Sequence, residues 1–354
     1  MASRIMFIAD AHLKGRTWTN NVALAGDAYL ALFVLGMEAT SQGDFTSDAV
    51  VLAGDTFDSN RPAAVDVREF QNALKDVEHL YYITGNHDSA LPPWVQVARP
   101  DAVHVADEVV MDGKVHMFGI DYTATREETV NELTMLAGAC RLNKIDKCII
   151  VMHTGVKEFL GYDETYTVSV GDIAEIMDGI QTLVVVGHVH KRGTVEGTNI
   201  IVHSPGSIYP LNVDEMNTGC AATVVELDDT GKFVLKEVPV EVRAYCQIEY
   251  DGDAAALADT ITKLACVSDA QYGRMPKYIR VVVDDDAEIP KIPDTPDIVQ
   301  FIRKKAVAAE TKTAEVHVDS VEDAIKEAAG DDSDCASMAV EFSTELLYSV
   351  SCIE

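Results

Sequence analysis

The sequence predicts an α/β protein with mixed sheets and a second, smaller α+β domain behind them. Three observations lead there. Short apolar runs rich in Val and Ile recur at 4–9, 49–53, 80–84, 147–152 and 182–186, each running into a polar or glycine-bearing turn; strands buried on both faces read this way. Helix-like stretches at 22–40, 63–77, 127–140 and 170–177 separate the runs, so the order is that of βαβ units, whose strands gather their carboxyl ends on one edge. The chain has 354 residues, more than a usual single domain, and its composition changes after about Val240.

Further strands are expected at 108–111, 115–119, 200–203, 222–227 and 233–238. They read as hairpins and meanders, which is why the sheets should be mixed. Past Val240 the pattern gives a strand at 245–249, a helix at 254–266 and a strand at 278–283. Pro290, Pro293 and Pro296 then interrupt the chain before a helix at 298–309 and an extended piece at 314–318. That β-α-β-α-β order makes a small two-layer domain. The expected division is 1–241 for the large domain, 242–319 for the small one and 320–354 for a tail. In the tail, Asp331, Asp332 and Asp334 cluster, and Met338, Phe342, Leu346 and Val350 recur at i, i+4 spacing. This is one apolar helical stripe, suited either to docking on its own protein or to binding a partner.

Composition narrows the function. Hydrophobic content of 47% supplies an ample core. The short apolar N-terminal run stops at a charged residue, so neither a signal peptide nor a membrane anchor is expected. The seven cysteines form no CxxC pair; a disulfide framework or thiolate zinc site is not expected, and a reducing cytoplasm fits. A net charge of −30 argues against a broad cationic nucleic-acid surface. A polyanion would have to be drawn by local groups, and Lys14, Arg61 and Lys191 follow the motifs described next.

Five motifs supply seven metal-binding side chains at strand ends: Asp10 and His12 in IADAH, Asp55 in LAGD, Asn86 in TGNHD, His153 in VMHTG, and His188 and His190 in VGHVH. Asp10 and His12 stand at i and i+2, on one face of an extended segment, so one ion can take both. His188 and His190 repeat the spacing, but a turn after Gly187 leaves open whether they serve one ion or two. Asp55 is the candidate bridge: it is the lone ligand of its motif and follows a glycine that lets the backbone turn sharply. Asn86 adds a neutral oxygen. Oxygen and imidazole donors without thiolate suit manganese, iron, zinc or, less well, magnesium. Two such cations roughly 3.5–4 Å apart neutralise a phosphodiester and acidify water. His87 is placed to stabilise the phosphate or leaving group and to donate a proton, and Asp88 to orient it or balance its charge. His79, His104, His116 and His317 lack this context and read as structural; His203 reads as structural or as a support behind the ligands.

At these motifs, over roughly residues 4–240, the chain resembles the calcineurin-like metallophosphoesterase superfamily. The resemblance implies a two-sheet α-β-β-α sandwich, with one metal on Asp10, His12, Asp55 and His190, a second on Asp55, Asn86, His153 and His188, and His87 as the catalytic histidine. The stretches GDTFDSNRPAA and HSPGSIYPLNVDE further resemble the nuclease subunit of the SbcC–SbcD double-strand-break complex and its tailed-phage recombination counterpart. That implies a Mn2+-dependent exo- and endonuclease acting on DNA, a homodimer, a capping domain over the small block, and an SbcC-like coiled-coil ATPase bound near the C-terminus, in the cytoplasm or, if phage-encoded, the host cytoplasm. Lys14, Arg61 and Lys191 are the candidates for backbone phosphate contacts. The alternatives are a stand-alone phosphatase or cyclic-nucleotide phosphodiesterase of the same fold, and a ligand-poor scaffold, against which all seven ligands and His87 speak.

Overall fold

Alternation builds the first strand. In β1 (Ile5–Ile8) all four residues are buried, Met6 and Ile8 against one core and Ile5 and Phe7 against another, so both faces of the strand are covered. The computed structural model describes residues 4–15, 26–105, 109–111, 115–160, 167–212, 215, 219–227, 231–240, 243, 245–266, 278–284, 288–290, 292 and 299–303. After β1 come α1 (Asp27–Thr40), β2 (Ala49–Ala53), α2 (Ala64–Ala73), β3 (Leu80–Ile83), α3 (Trp94–Ala98) and β4 (Val103–His104). Then follow β5 (Val109–Met111), β6 (Val115–Ile120), α4 (Arg126–Asn143), β7 (Lys147–His153), α5 (Lys157–Leu160), α6 (Val170–Ile176) and β8 (Gln181–Gly187). Strands β9 (Gly193–Glu196), β10 (Ile200–Ser204), β11 (Ala221–Leu227) and β12 (Phe233–Pro239) come next.

Two six-stranded sheets result, ordered β12-β11-β1-β2-β3-β4 and β5-β6-β7-β8-β10-β9. Strands β1 to β4 run parallel, as do β6, β7, β8 and β10, while β11, β12, β5 and β9 pair antiparallel. Both sheets are therefore mixed, as expected. Phe7, Val51 and Ile83 of the first sheet share one core with Met117, Val151 and Val185 of the second. On the outer face of the first sheet, Leu32 and Leu35 of α1 and Phe70 of α2 cover Met6, Val50 and Leu52. On the second, Leu133 and Ala137 of α4 and Ile173 of α6 cover Ile150 and Val184. The layers are α-β-β-α, and each fully buried Leu, Val or Phe contributes roughly 1.5–3 kcal/mol.

Helix starts follow local chemistry. Thr125 and Glu128 cap α4 reciprocally, and Ser169 and Asp172 do the same for α6. Helix α1 has no side-chain cap and follows Gly26 at φ 96°. Its first residue, Asp27, is buried in an ion pair: Arg243 Nε and Nη2 donate to it at 2.7 and 3.0 Å, and Tyr245 Oη at 3.1 Å.

Beyond Arg243 lie β13 (Tyr245–Glu249), α7 (Ala254–Cys266), β14 (Tyr278–Val283) and β15 (Val299–Arg303). The three strands form a parallel sheet in chain order. The expected helix at 298–309 is corrected here: its first part is β15. Val299 and Phe301 pack with Ile279, Val281 and Leu257, and pairing with β14 overrides a segment whose apolar residues also fit a helical period. The extended piece at 314–318 and the Met338 to Val350 stripe lie outside the described residues. Helices α3 and α5 and strands β4 and β9 were not expected; at two to five residues they are too short to show a period. Among the described residues, no helix is long and apolar enough to cross a membrane.

Candidate metal centre

The carboxyl ends of β1, β2 and β3 deliver Asp10, His12, Asp55 and Asn86, and those of β7 and β8 deliver His153, His188 and His190. The backbone is bent hard to do so. Asp10, His12, Asp55 and His188 all have left-handed φ, at 51°, 40°, 48° and 78°, a conformation costing a non-glycine residue roughly 1–2 kcal/mol and concentrated at functional sites. Gly54 precedes Asp55 at φ 86°, and a Cβ there would meet His153 Nδ1 at 2.3 Å. Hydrogen bonds cross-link the loops: His12 N to Asp55 O at 2.8 Å, His87 N to Asp55 Oδ1 at 2.8 Å, His188 N to Asp10 Oδ1 at 2.9 Å, and His153 Nδ1 to Ala53 O at 2.9 Å.

All seven side chains converge. Asp10, His12 and His190 offer ligand atoms within 4.8 Å of one another, and so do Asp55, His153 and His188. Asp55 Oδ2 lies between the groups, 3.5 Å from His12 Nε2 and 3.3 Å from His153 Nε2. Asn86 Oδ1 is 3.2 Å from His153 Nε2 and 3.0 Å from His188 Nδ1. The rings of His12 and His190 stand 5.2 Å apart, as do those of His153 and His188. Among the described residues, Asp10 Oδ2 and His12 Nε2 are buried with no hydrogen-bond partner, although buried polar atoms are normally satisfied. Cations coordinated here would satisfy both, and the oxygen and imidazole set suits divalent ions such as manganese, iron or zinc. The residues fit a pair of ions.

The electrostatics match. Burial pushes the Asp10 carboxyl up against the pull of His153, His190 and His12. Burial would also raise Asp55, but His153 and His12 hold it below the usual carboxylate range. Burial would lower His153, yet Asp55 and Asp10 raise it to about 9. His188 falls to about 4 through burial and the neighbouring His153. Imidazoles thus offset part of the charge of Asp10 and Asp55, and ions binding there would displace any imidazole protons.

His87 sits exposed at the rim. Its Nδ1 is 3.0 Å from the backbone oxygen of Asp58 and its ring centroid is 4.8 Å from that of His12. Asp88, expected to orient His87 or balance its charge, makes its hydrogen bonds to backbone amides. It is buried, Gly85 N donates to its Oδ1 at 2.7 Å and Thr56 N to its Oδ2 at 2.7 Å, so it braces the Asp55 loop against the Asn86 loop. Lys14 Nζ pairs with Asp58 at 2.9 Å, while Arg61 and Lys191 are exposed. His203 bridges Thr194 and Thr223 Oγ1, each at 2.8 Å. Two carboxylates went unassigned in the sequence, Asp58 against His12 Nδ1 at 3.2 Å and Glu215 against His190 Nδ1 at 3.0 Å. Both lie inside the stretches GDTFDSNRPAA and HSPGSIYPLNVDE; their distance in sequence from the histidines they serve hid them. Tyr122, with its ring centroid 6.3 Å from that of His153 and 6.1 Å from that of His188, was also missed.

The family profile described as calcineurin-like phosphoesterase matches residues 3–192. The DNA double-strand break repair protein Mre11 of Methanosarcina acetivorans is 26% identical over 198 residues, 53% of this chain and 30% of that protein's length. A solved crystal structure of a Thermus thermophilus protein superposes with a TM-score of 0.45 at 14% identity, covering 68% of this chain and 100% of that one.

Proposed function

The chain belongs to the calcineurin-like phosphoesterase family, and from that premise we propose that it is a metal-dependent DNA nuclease, the nuclease subunit of a recombination and double-strand-break repair complex. The observation that carries the chemistry is the position of Asp55 between two sets of inward-facing histidines. The choice of DNA is supported by the likeness to Mre11 and by the basic side chains that follow the ligand motifs.

In this reading Asp10, His12, Asp55 and His190 hold one ion and Asp55, Asn86, His153 and His188 the other, both taken as Mn2+. When bound, the ions neutralise phosphate charge and lower the pKa of water from about 15.7 towards neutrality. His87 is the catalytic acid: with Nδ1 held by the Asp58 carbonyl, its Nε2 is left to face a phosphate oxygen and to donate a proton to the departing 3′ oxygen. Asp88 keeps the two central loops in register. Arg61, Lys191 and Lys14 contact backbone phosphates, positioning DNA without reading its sequence. Residues 242–319 serve as the capping domain, and the 320–354 tail contacts a coiled-coil ATPase of the SbcC kind. The chain works as a homodimer in the cytoplasm.

The test is digestion of end-labelled duplex DNA with Mn2+, by the natural chain and by His87→Ala. Cleavage that needs the ion and falls by about 10²-fold or more in the variant is expected. Intact DNA alongside fast turnover of a small chromogenic diester would refute the nuclease reading and favour a phosphatase or cyclic-nucleotide phosphodiesterase.

A further inference from the structure

Tyr122 stands beside the centre and is not one of its seven ligands. It follows β6 at the carboxyl edge of the second sheet and is partly exposed. Its ring centroid lies 6.1 Å from that of His188, with 35° between the planes, and 6.3 Å from that of His153, with 70°. Among the described residues no hydrogen bond uses its hydroxyl. Its backbone, by contrast, is fixed. Tyr122 N donates to Thr84 O at 3.0 Å. The neighbouring Asp121 carboxylate accepts from Thr84 N at 2.7 Å and lies 2.9 Å from His104 Nε2. The loop after β6 is therefore tied to the loop after β3, which carries Asn86 and His87. His87 flanks the other group of ligands, with its ring 4.8 Å from that of His12.

Resting on the phosphodiester reading above, we propose that Tyr122 is a specificity-determining residue: its ring packs against the nucleoside that stays on phosphorus, while the departing group lies beside His87. The charged and imidazole groups of the centre can hold a phosphate but have little with which to tell one ester from another. The attached group has to be read by what surrounds it. A partly exposed phenol ring supplies apolar surface there, with only two side-chain torsions to fix and a backbone already held, so little entropy is lost on contact. Stacking on an aromatic ring tolerates any base, because every base has a π face. Tyr122 would thus select nucleosides as a class and leave the sequence unread. Such contacts are worth about 5–150-fold, the equivalent of ~1–3 kcal/mol per base.

Two diesters with one leaving group isolate the contact: the p-nitrophenyl esters of thymidine 5′-phosphate and of methyl phosphate. With Mn2+, kcat/KM of the natural chain should favour the nucleoside ester by about 5–150-fold. Tyr122→Ala should erase most of that preference, chiefly through KM of the nucleoside ester, and Tyr122→Phe should keep it. Calorimetry gives a second reading that needs neither turnover nor a variant that folds: the natural chain should bind thymidine 5′-phosphate more tightly than methyl phosphate by a similar factor. No preference in the natural chain, an unchanged preference in Tyr122→Ala, or an equal loss in Tyr122→Phe would each overturn the proposal. Equal damage by Tyr122→Ala to both esters would also overturn it, since the ring would then serve only to pack the ligand histidines. No turnover of either ester would sink the phosphodiester reading and this assignment with it. A preferred nucleoside ester beside intact DNA would remove the nuclease and leave the role of Tyr122 standing.

Discussion

Gly85→Ala should disable the centre while leaving the rest of the fold in place. Gly85 lies where the loop after β3 crosses the loop after β2, and a Cβ there would stand 2.1 Å from Asp55 Oδ1, 2.4 Å from Asp55 N and 2.7 Å from Asp55 Cγ. Ordinary contact begins near 3.4 Å. Because the backbone nitrogen is among the atoms struck, rotating the carboxylate does not relieve the clash, and the loop carrying the bridging ligand must shift by about 1 Å or more. A displacement of that size can cost about 10²-fold in rate. Gly138→Ala is the matched control. It lies inside α4 with nothing within 4 Å of the added carbon, and alanine should stabilise a helix interior there by roughly 0.5–1 kcal/mol. The assay is kcat/KM on a chromogenic phosphodiester with saturating Mn2+, beside thermal melting of each variant. A Gly85→Ala protein with kcat/KM within about threefold of the natural chain would show that the two loops are not packed as described.

Three other outcomes follow from the structure. Burial, with the nearby Arg192 charge, depresses His203 to about 4, against about 6.5 in an unfolded chain. The unfolded state therefore takes up its proton first; the contribution is complete above about pH 6.5 and fades as pH falls towards 4, by about 3 kcal/mol. Urea unfolding at several pH values should show His203→Gln flattening this acid loss, and an unchanged slope would refute it. Arg243→Met should destabilise by about 3–5 kcal/mol, because Asp27 stays buried without its cation, and adding Asp27→Leu should restore most of the loss; simple additivity in urea unfolding would contradict the coupling. Arg61→Ala with Lys191→Ala should reduce the slope of log affinity for DNA against log salt by up to about two units; an unchanged slope removes both from the phosphate contacts.

The convergence of the seven side chains was legible in sequence because each sits at the end of an apolar run, and strand ends in βαβ order must gather on one edge. What joins the set was less visible. Asp58 reaches back to His12 across 46 residues, and Glu215 to His190 across 25; no spacing rule pairs them, since the loops after β1 and β2 meet only once those strands pair, and Glu215 lies beyond β10. Asp88 shows the converse. Beside His87 in sequence, it turns its oxygens to the amides of Gly85 and Thr56, because a buried carboxylate between two tight loops satisfies their free N–H groups first. The β15 strand was misread for a related reason: Val299 to Arg303 has no local preference strong enough to outweigh pairing with β14.

The acidity of the chain gives a last test. At net charge −30 the surface as a whole repels DNA, but a screening length of about 8 Å at physiological salt confines that repulsion to the contact face. Around the centre, Asp10, Asp55, Asp58, Asp88 and Glu215 crowd together, Lys14 is engaged by Asp58, and Arg192 by Glu237. Without divalent ions this face is negative, so binding of DNA, and not only its cleavage, should require them. Fluorescence anisotropy with labelled duplex and the His87→Ala variant, which is to bind without cutting, separates the two steps. Chelating the Mn2+ should weaken binding at least about tenfold, or about 1.4 kcal/mol. Equal affinity with and without the ion would place the DNA on another face, and the cations would then serve the chemistry without recruiting the substrate.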